Sequence, residues 1–290
     1  MTALPAQLPR LIVERAVAAA LEEDLGLAGD LTSQATLAPD AVAKATLSAR
    51  EAGVIAGLDL AAAAFRLVGD GVLFSPRLGD GDRIDAGGIV AEISGPARLV
   101  MSGERVALNF LNHLSGIATQ TRIYADAIAG TRARICDTRK TTPGLRTFEK
   151  YAVRCGGGSN HRYALNDAIL IKDNHIAVAG SVTAAYKAAE AFAGHLVAIE
   201  IEVTTLAELH EALTAGARVI MLDNMDNELL RQAVEINGGR ATLEASGGVK
   251  LERLRSIAET GVDYISTSQI TMGATPLDLG LDVVIGEAQP

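Results

Sequence analysis

Arg139, Lys140, His161, Arg162 and Lys172 crowd into residues 137 to 175 of a chain that has only six lysines and a formal net charge of −9. Cations concentrated in an acidic protein predict an anion pocket. A solvated charge run would read differently: these cations alternate with Gly, Thr and Asn, and they follow apolar strand-like segments. ARIC precedes Asp137-Thr138-Arg139-Lys140, and AILI precedes Lys172-Asp173-Asn174. Strand ends followed by polar side chains are where α/β enzymes keep their chemistry. Arginine forks hold carboxylates or phosphates bidentately, and each charge-assisted hydrogen bond contributes roughly 1.5–3 kcal/mol.

Carboxylates stand further along. Glu202 in EIEV and Asp223 in MLDN disfavour a bound anion unless a divalent metal or a developing cation lies between. A substrate carrying phosphate and Mg²⁺, and reacting through a cationic carbon, uses both signs at once. Ser246-Gly247-Gly248 after ATLEA offers backbone N–H groups at a strand-to-helix turn, a phosphate cradle in that context and a plain tight turn outside it. Gly156-Gly157-Gly158 lacks GxGxxG spacing and no GxxxxGK[ST] occurs, which excludes dinucleotide-fold and P-loop readings. Lys172 has a second reading as a Schiff-base nucleophile. The adjacent Arg and His favour anion binding, because a nucleophilic lysine must be kept neutral. His113, His195 and His210 read as packing or surface residues, His161 as functional, and His175 stays open.

These side chains need a frame to hold them. ARICDT, AILIKD, VAIEIEV, RVIMLDN, ATLEASGG and VDYISTS alternate with helical stretches such as TLAELHEALTAG and KLERLRSIAETG. Repeated βα units with nearly continuous apolar strands indicate a buried parallel sheet, wound into a barrel or a doubly wound sheet. A full eight-unit barrel needs about 250 residues, so an incomplete barrel fits better. All six strands end in groups that bind or react, and in a barrel these converge on one face. The first third predicts a helix near 9–24, a strand near 42–50, the helix GLDLAAAAFRLV, and the strands GVLFSP and GIVAEIS. A helical pattern from Arg98 to about Ala129, with a possible break at Ser115-Gly116, reads as a bridge between two domains. DVVIG adds one more strand, to either domain.

Composition excludes several classes. The net charge of −9 argues against a nucleic-acid or anionic-membrane surface. The hydrophobic content of 49% predicts a globular chain, and no run approaches the roughly 20 apolar residues of a membrane span. Cys136 and Cys155 have no metal-ligand spacing and read as reduced thiols of a cytoplasmic protein.

The segments LEEDLGLAGDLTS, REAGVIAGL, SGERVALNFLNHLSGIAT, DTRKTTPGLR, KYAVRCGGGSNHRYALNDAILIKDNHI, EIEV, MLDN and LEASGGV, in that order, resemble the quinolinate phosphoribosyltransferase family over essentially the whole chain. The resemblance implies an N-terminal α/β sandwich (1–115, joined by the tail 275–290) and a C-terminal incomplete α/β barrel of six or seven strands (116–274). It also implies a cytoplasmic homodimer with a shared active site, to which Arg105 is lent by the neighbouring subunit. Thr138, Arg139, Lys140, His161, Arg162 and Lys172 match positions lining the pocket for a dicarboxylate and a diphosphate. Glu202 and Asp223 match the acids near ribose and Mg²⁺, and Lys140, Lys172, Glu202 and Asp223 carry the implied catalysis. Ser246, Gly247 and Gly248, with Thr267, Ser268 and Gln269, match the loops that take the 5-phosphate. The implied reaction joins quinolinate to 5-phosphoribosyl-1-diphosphate and releases diphosphate and carbon dioxide.

One departure stands out. STSQITMG places Ser268 where the family has glycine, and a β-carbon there would hinder the approach of backbone to phosphate unless the Thr267 and Ser268 hydroxyls compensate. That loop keeps alive the quinolinate phosphoribosyltransferase-like protein associated with molybdenum transport. A non-catalytic anion-binding protein on the same fold is the reading from a different class.

Overall fold

Strand β1 (Val42–Ala49) alternates exposed and buried side chains, with Ala43, Ala45, Leu47 and Ala49 facing inward. That period of two marks a sheet with one face on a core. The computed structural model describes residues 7–286. They fall into two compact units, one made of residues up to Arg122 with 147–157 and the chain from Ala274, the other of Ile123–Arg146 and Gly158–Gly273.

In the first unit β1 lies between β5 (Ile89–Pro96) and β12 (Leu279–Gly286), and β3 (Leu73–Pro76) completes an antiparallel sheet in the order β12-β1-β5-β3. DVVIG therefore belongs to this sheet, where Val283 pairs with Ala45. Two short strands, β2 (Gly53–Val54) and β4 (Arg83–Ile84), pair separately. Helix α1 (Arg10–Leu25) packs on α3 (Leu58–Leu67), and α2 (Leu31–Thr36) starts at Asp30, whose carboxylate accepts the Ser33 N–H.

The helix α4 (Ala97–Ala127) runs without interruption through Ser115-Gly116, so the expected break is absent. Both residues have other work. The Ser115 hydroxyl accepts the Ala56 N–H at 3.0 Å. A β-carbon on Gly116 would stand 2.1 Å from the Thr275 carbonyl oxygen, so glycine is there to admit the returning chain, not to end the helix. Helix α5 (Arg146–Cys155) buries Glu149, whose Oε1 meets His113 Nε2 at 2.9 Å. His113 is thus a satisfied packing residue.

The second unit is a six-stranded parallel sheet in the order β6 (Arg134–Cys136), β11 (Tyr264–Ser266), β10 (Thr242–Ser246), β9 (Val219–Asp223), β8 (Ala198–Val203), β7 (Ala168–Ile171). β6 and β7 are its two edges, so the sheet is an open, incomplete barrel. Helices α6 (Asp173–Ala179), α7 (Val182–Phe192), α8 (Leu206–Ala215), α9 (Asn227–Asn237) and α10 (Leu251–Ala258) connect successive strands from β7 to β11.

Side chains on these strands sort by parity. Ile201, Ile220, Leu222, Leu243 and Ile265 are almost fully buried, each contributing about 1.5–3 kcal/mol by burial. The alternate positions Glu202 and Met221, which are register partners, and Ser246, which pairs with Asp223, face the other way. A continuous apolar reading of the strands is therefore half right: one face is apolar and the other carries acids and hydroxyls.

Candidate functional site

A cavity of about 730 Å³ opens at the carboxyl ends of the parallel strands, and every site residue expected from the sequence except Arg105 lines it. Arg105 is exposed on α4, in the other unit.

The first cationic wall follows β6. Asp137 is fully buried, its oxygens accepting the His161 N–H at 2.8 Å and the Asn160 amide at 2.7 Å. The segment after Gly158 is thereby tied to the end of β6, reinforced by a parallel bridge between Cys136 and Ser159. Thr138 Oγ1 accepts the Lys140 N–H, the Lys140 carbonyl accepts from the Thr271 hydroxyl, and Arg146 donates to the Arg139 carbonyl. The loop carrying Arg139 and Lys140 is thus braced from three sides.

Arg139 and Arg162 each keep a buried Nε–H without a protein partner. A buried donor left unpaired costs about 1–3 kcal/mol, which a bound anion would recover. Burial first, and the nearby Arg139 guanidinium second, lower the Arg162 pKa from its ordinary value. Two guanidinium groups pressed together with free donors make a site for a carboxylate or phosphate.

The histidine expected as a fifth cation behaves differently. His161 Nδ1 accepts the N–H of Arg162 at 2.8 Å, and Nε2 meets Glu200 Oε2 at 2.8 Å. His175, undecided from sequence, accepts the Lys172 N–H at 2.9 Å and so fixes the turn from β7 into α6. His195 and His210 are exposed, as expected.

At the end of β8 Glu202 is buried and pairs with the exposed Lys172, Nζ to Oε2 2.8 Å. Asp223 accepts from the Asn224 amide at 2.6 Å. Asn224 has φ +55°, a conformation uncommon outside glycine. It sits against the Ser246-Gly247-Gly248 turn, where a β-carbon on Gly247 would lie 2.2 Å from Asn224 Oδ1. Gly247 and Gly248 have φ of +92° and +59°, and at Gly247, where the added carbon also collides, a non-glycine residue would be strained.

Thr267 is buried, and its hydroxyl accepts the Gln269 N–H at 3.2 Å. Ser268 is not among the residues of positive φ, so its β-carbon strains nothing at its own backbone. Its carbonyl accepts the N–H groups of Thr271 and Met272, which closes the turn.

Leu170, Met221, Val249 and Lys250 also line the cavity and escaped the sequence reading, and Asn224 and Ser266, polar residues at their strand ends, line it with them. Parity with Lys172, Asp223 and Ser268 was the available signal for Leu170, Met221 and Ser266. Nothing local marked Lys250.

Comparison with known proteins meets this geometry. The profile for the quinolinate phosphoribosyl transferase C-terminal domain matches residues 117–282, and that for the N-terminal domain residues 30–115. The chain belongs to the quinolinate phosphoribosyl transferase family. It is 45% identical over 263 residues to a probable nicotinate-nucleotide pyrophosphorylase [carboxylating] of Bacillus subtilis (strain 168), covering 91% of this chain and 90% of that protein. It is 43% identical over 271 residues to the nicotinate-nucleotide pyrophosphorylase [carboxylating] of Mycobacterium leprae (strain TN), 91% of this chain and 94% of that one. The solved structure of NadC from Streptococcus pyogenes superposes with a TM-score of 0.94 at 42% identity, over 98% of this chain and 100% of that one. The family fold accounts for the antiparallel sheet and the open parallel barrel together.

Among the described residues, no helix is long and apolar enough to cross a membrane.

Proposed function

We propose that this member of the quinolinate phosphoribosyl transferase family transfers the phosphoribosyl group of 5-phosphoribosyl-1-diphosphate to quinolinate with decarboxylation, giving nicotinate mononucleotide, diphosphate and CO₂. One observation carries the reading: a single cavity sets Arg139, Lys140, Arg162 and Lys172 against Glu202 and Asp223, beside a glycine turn. An anion-binding protein has no need of the two acids. A reaction that separates a diphosphate from a cationic sugar carbon uses both walls.

The Arg139 and Arg162 guanidinium groups, with their unpartnered Nε–H donors, suit the two adjacent carboxylates of a pyridine dicarboxylate. Held there, the ring nitrogen lone pair attacks the ribose C1 as the bond to the diphosphate oxygen breaks, its electron pair leaving with diphosphate. Positive charge that develops on C1 is stabilised by Glu202 and Asp223; negative charge on the leaving group is taken up by Lys140 and Lys172. The ribosylated nitrogen is cationic. The C2–carboxylate bond then breaks toward it, CO₂ departs, and the carbanion takes a proton. Orientation and exclusion of water are the protein's part in this second step.

Mg²⁺ fits these residues as a companion of the diphosphate. Glu202 and Asp223 are two carboxylates on neighbouring strands and, among the described residues, the cavity lining holds no third acid to close a cage, which suits a cation bound through one or two carboxylates plus substrate phosphates. When bound, it supplies charge neutralisation at the phosphate oxygens. The reading includes a cytoplasmic homodimer in which the exposed Arg105 of a second copy reaches the dicarboxylate. The 5-phosphate falls to Ser246, Gly247, Gly248, Thr267, Ser268 and Gln269, whose hydroxyls and backbone N–H groups supply donors without charge.

The test is an assay with quinolinate, 5-phosphoribosyl-1-diphosphate and Mg²⁺. Nicotinate mononucleotide and CO₂ in equal amounts are expected. A folded protein that forms neither at micromolar enzyme overturns the reading, and leaves the molybdenum-transport relative or a binding protein in its place.

A further inference from the structure

His161 stands in the cationic cluster of the sequence, yet both of its ring nitrogens are already engaged. The amide N–H of Arg162 is 2.8 Å from Nδ1, and an amide N–H donates only to a lone pair, so Nδ1 carries no proton. The ring's proton is therefore on Nε2, where it is donated to Glu200 Oε2 at 2.8 Å. We propose that His161 is a neutral positioning residue for Arg162, held between the Arg162 main chain and Glu200, and contributes no positive charge to substrate.

Three further observations agree. The His161 main chain is itself fixed, its N–H donated to the buried Asp137 at 2.8 Å, so ring and backbone together define where residue 162 begins. Arg162 then donates through Nη1 to the Ala168 carbonyl at 3.1 Å, while its buried Nε keeps no protein partner. A histidinium would have to surrender the Nδ1 contact and set two N–H groups face to face, next to two arginines.

The acids around the ring also account for their own charge. Glu244 Oε1 lies 3.8 Å from Nε2, too far to share its proton with Glu200. Glu244 is almost fully buried, and that burial, followed by the neighbouring Glu200 charge, pushes its pKa up to about 7. His161, Glu200 and Glu244 bring their ligand atoms within 4.8 Å of one another, but a cation there would have to displace the Nε2 proton. Nδ1, the ring's one lone pair, faces Arg162.

The direct test is a long-range ¹H–¹⁵N spectrum of the full chain with ¹⁵N-labelled histidine at pH 7.5, the His161 signals assigned by their loss in His161→Gln. One protonated and one unprotonated ring nitrogen, Nδ1 being the unprotonated one, is expected. Two protonated nitrogens overturn the proposal, and neither result depends on the assigned reaction. A kinetic cycle addresses the route through Arg162, resting on the proposed activity. His161→Ala alone should raise the quinolinate KM about tenfold or more, but less than twofold in an Arg162→Ala background. Effects that multiply would show that His161 binds substrate independently, and would overturn the positioning role.

Discussion

Lys172 Nζ and Glu202 Oε2 lie 2.8 Å apart at the ends of the neighbouring strands β7 and β8, an ion pair between the cation expected to receive diphosphate and the acid expected to face ribose. Lys172 is half exposed and Glu202 is one-tenth exposed, so the lysine is the mobile partner. An arriving anion has to draw it from the carboxylate, and doing so leaves Glu202 free for a developing positive charge. Charge stabilisation realised only in the transition state appears in kcat and not in KM. Glu202→Gln should therefore lower kcat by at least about tenfold while the KM for 5-phosphoribosyl-1-diphosphate stays level or falls. Steady-state kinetics with that substrate varied decides it; an increased KM with unchanged kcat would place Glu202 in ground-state binding.

Arg139→Ala and Arg162→Ala should each reduce kcat/KM for quinolinate by at least about tenfold, the equivalent of one charge-assisted hydrogen bond. Unchanged kinetics in either variant would mean that the dicarboxylate binds elsewhere in the cavity.

Gly247→Ala meets two obstacles, a backbone at φ +92° and a β-carbon 2.2 Å from Asn224 Oδ1. Backbone of this kind costs a non-glycine residue about 1–3 kcal/mol. Moving Asn224 to relieve the contact also breaks its 2.6 Å bond to Asp223. A lower Tm together with a raised KM for 5-phosphoribosyl-1-diphosphate is expected. Gly180→Ala, at φ +92° with nothing within 4 Å of the added carbon, is the control for conformational strain alone.

Glu244 makes stability depend on pH. Its carboxyl has a folded pKa of about 7 against an ordinary value of about 4.5, so the folded state holds the proton more tightly than the unfolded chain. The resulting contribution is fully present below about pH 4.5 and is lost as pH rises through about 7. In Glu244→Gln the amide mimics the protonated acid. The urea midpoint of the parent, relative to this variant, should fall between pH 5.5 and pH 8; a constant difference would mean that Glu244 is already ionised at the lower pH.

A shared active site predicts complementation. Arg105→Ala and Lys172→Ala proteins, each inactive alone, should regain partial activity when mixed under conditions of subunit exchange. Proven exchange without recovery would count against Arg105 reaching a second copy's cavity.

Much of the barrel was legible because parallel strands and strand ends are local patterns. AILI, AIEIEV and VIMLD announce buried strands, and the polar residue just beyond each announces the cavity. Asp137 to Lys140, Lys172, Glu202, Asp223 and Ser246 to Gly248 follow from that pattern, while Gln269 came from the family resemblance. Gly116 was misread as a helix break, since the reason for a glycine there is the Thr275 carbonyl, which lies far away in sequence. The assignment of DVVIG was open for the same reason: its partner β1 is more than 200 residues away. Lys250 carries no local signature, and only the closing of the turn before it brings it to the cavity.

By itself, the sequence determined the strand pattern, the family and the identity of the charges, because all three are properties of residue type and order. The tertiary structure decided which charges face substrate. Glu200 and Glu202 are two residues apart on one strand, yet Glu202 lines the cavity and pairs with Lys172, while Glu200 accepts the hydrogen bond of His161 Nε2–H. His161 loses its place among the cations on the same ground. Its protonation is set by an amide and a carboxylate converging on one ring, and convergence of that kind exists only once the strands have packed.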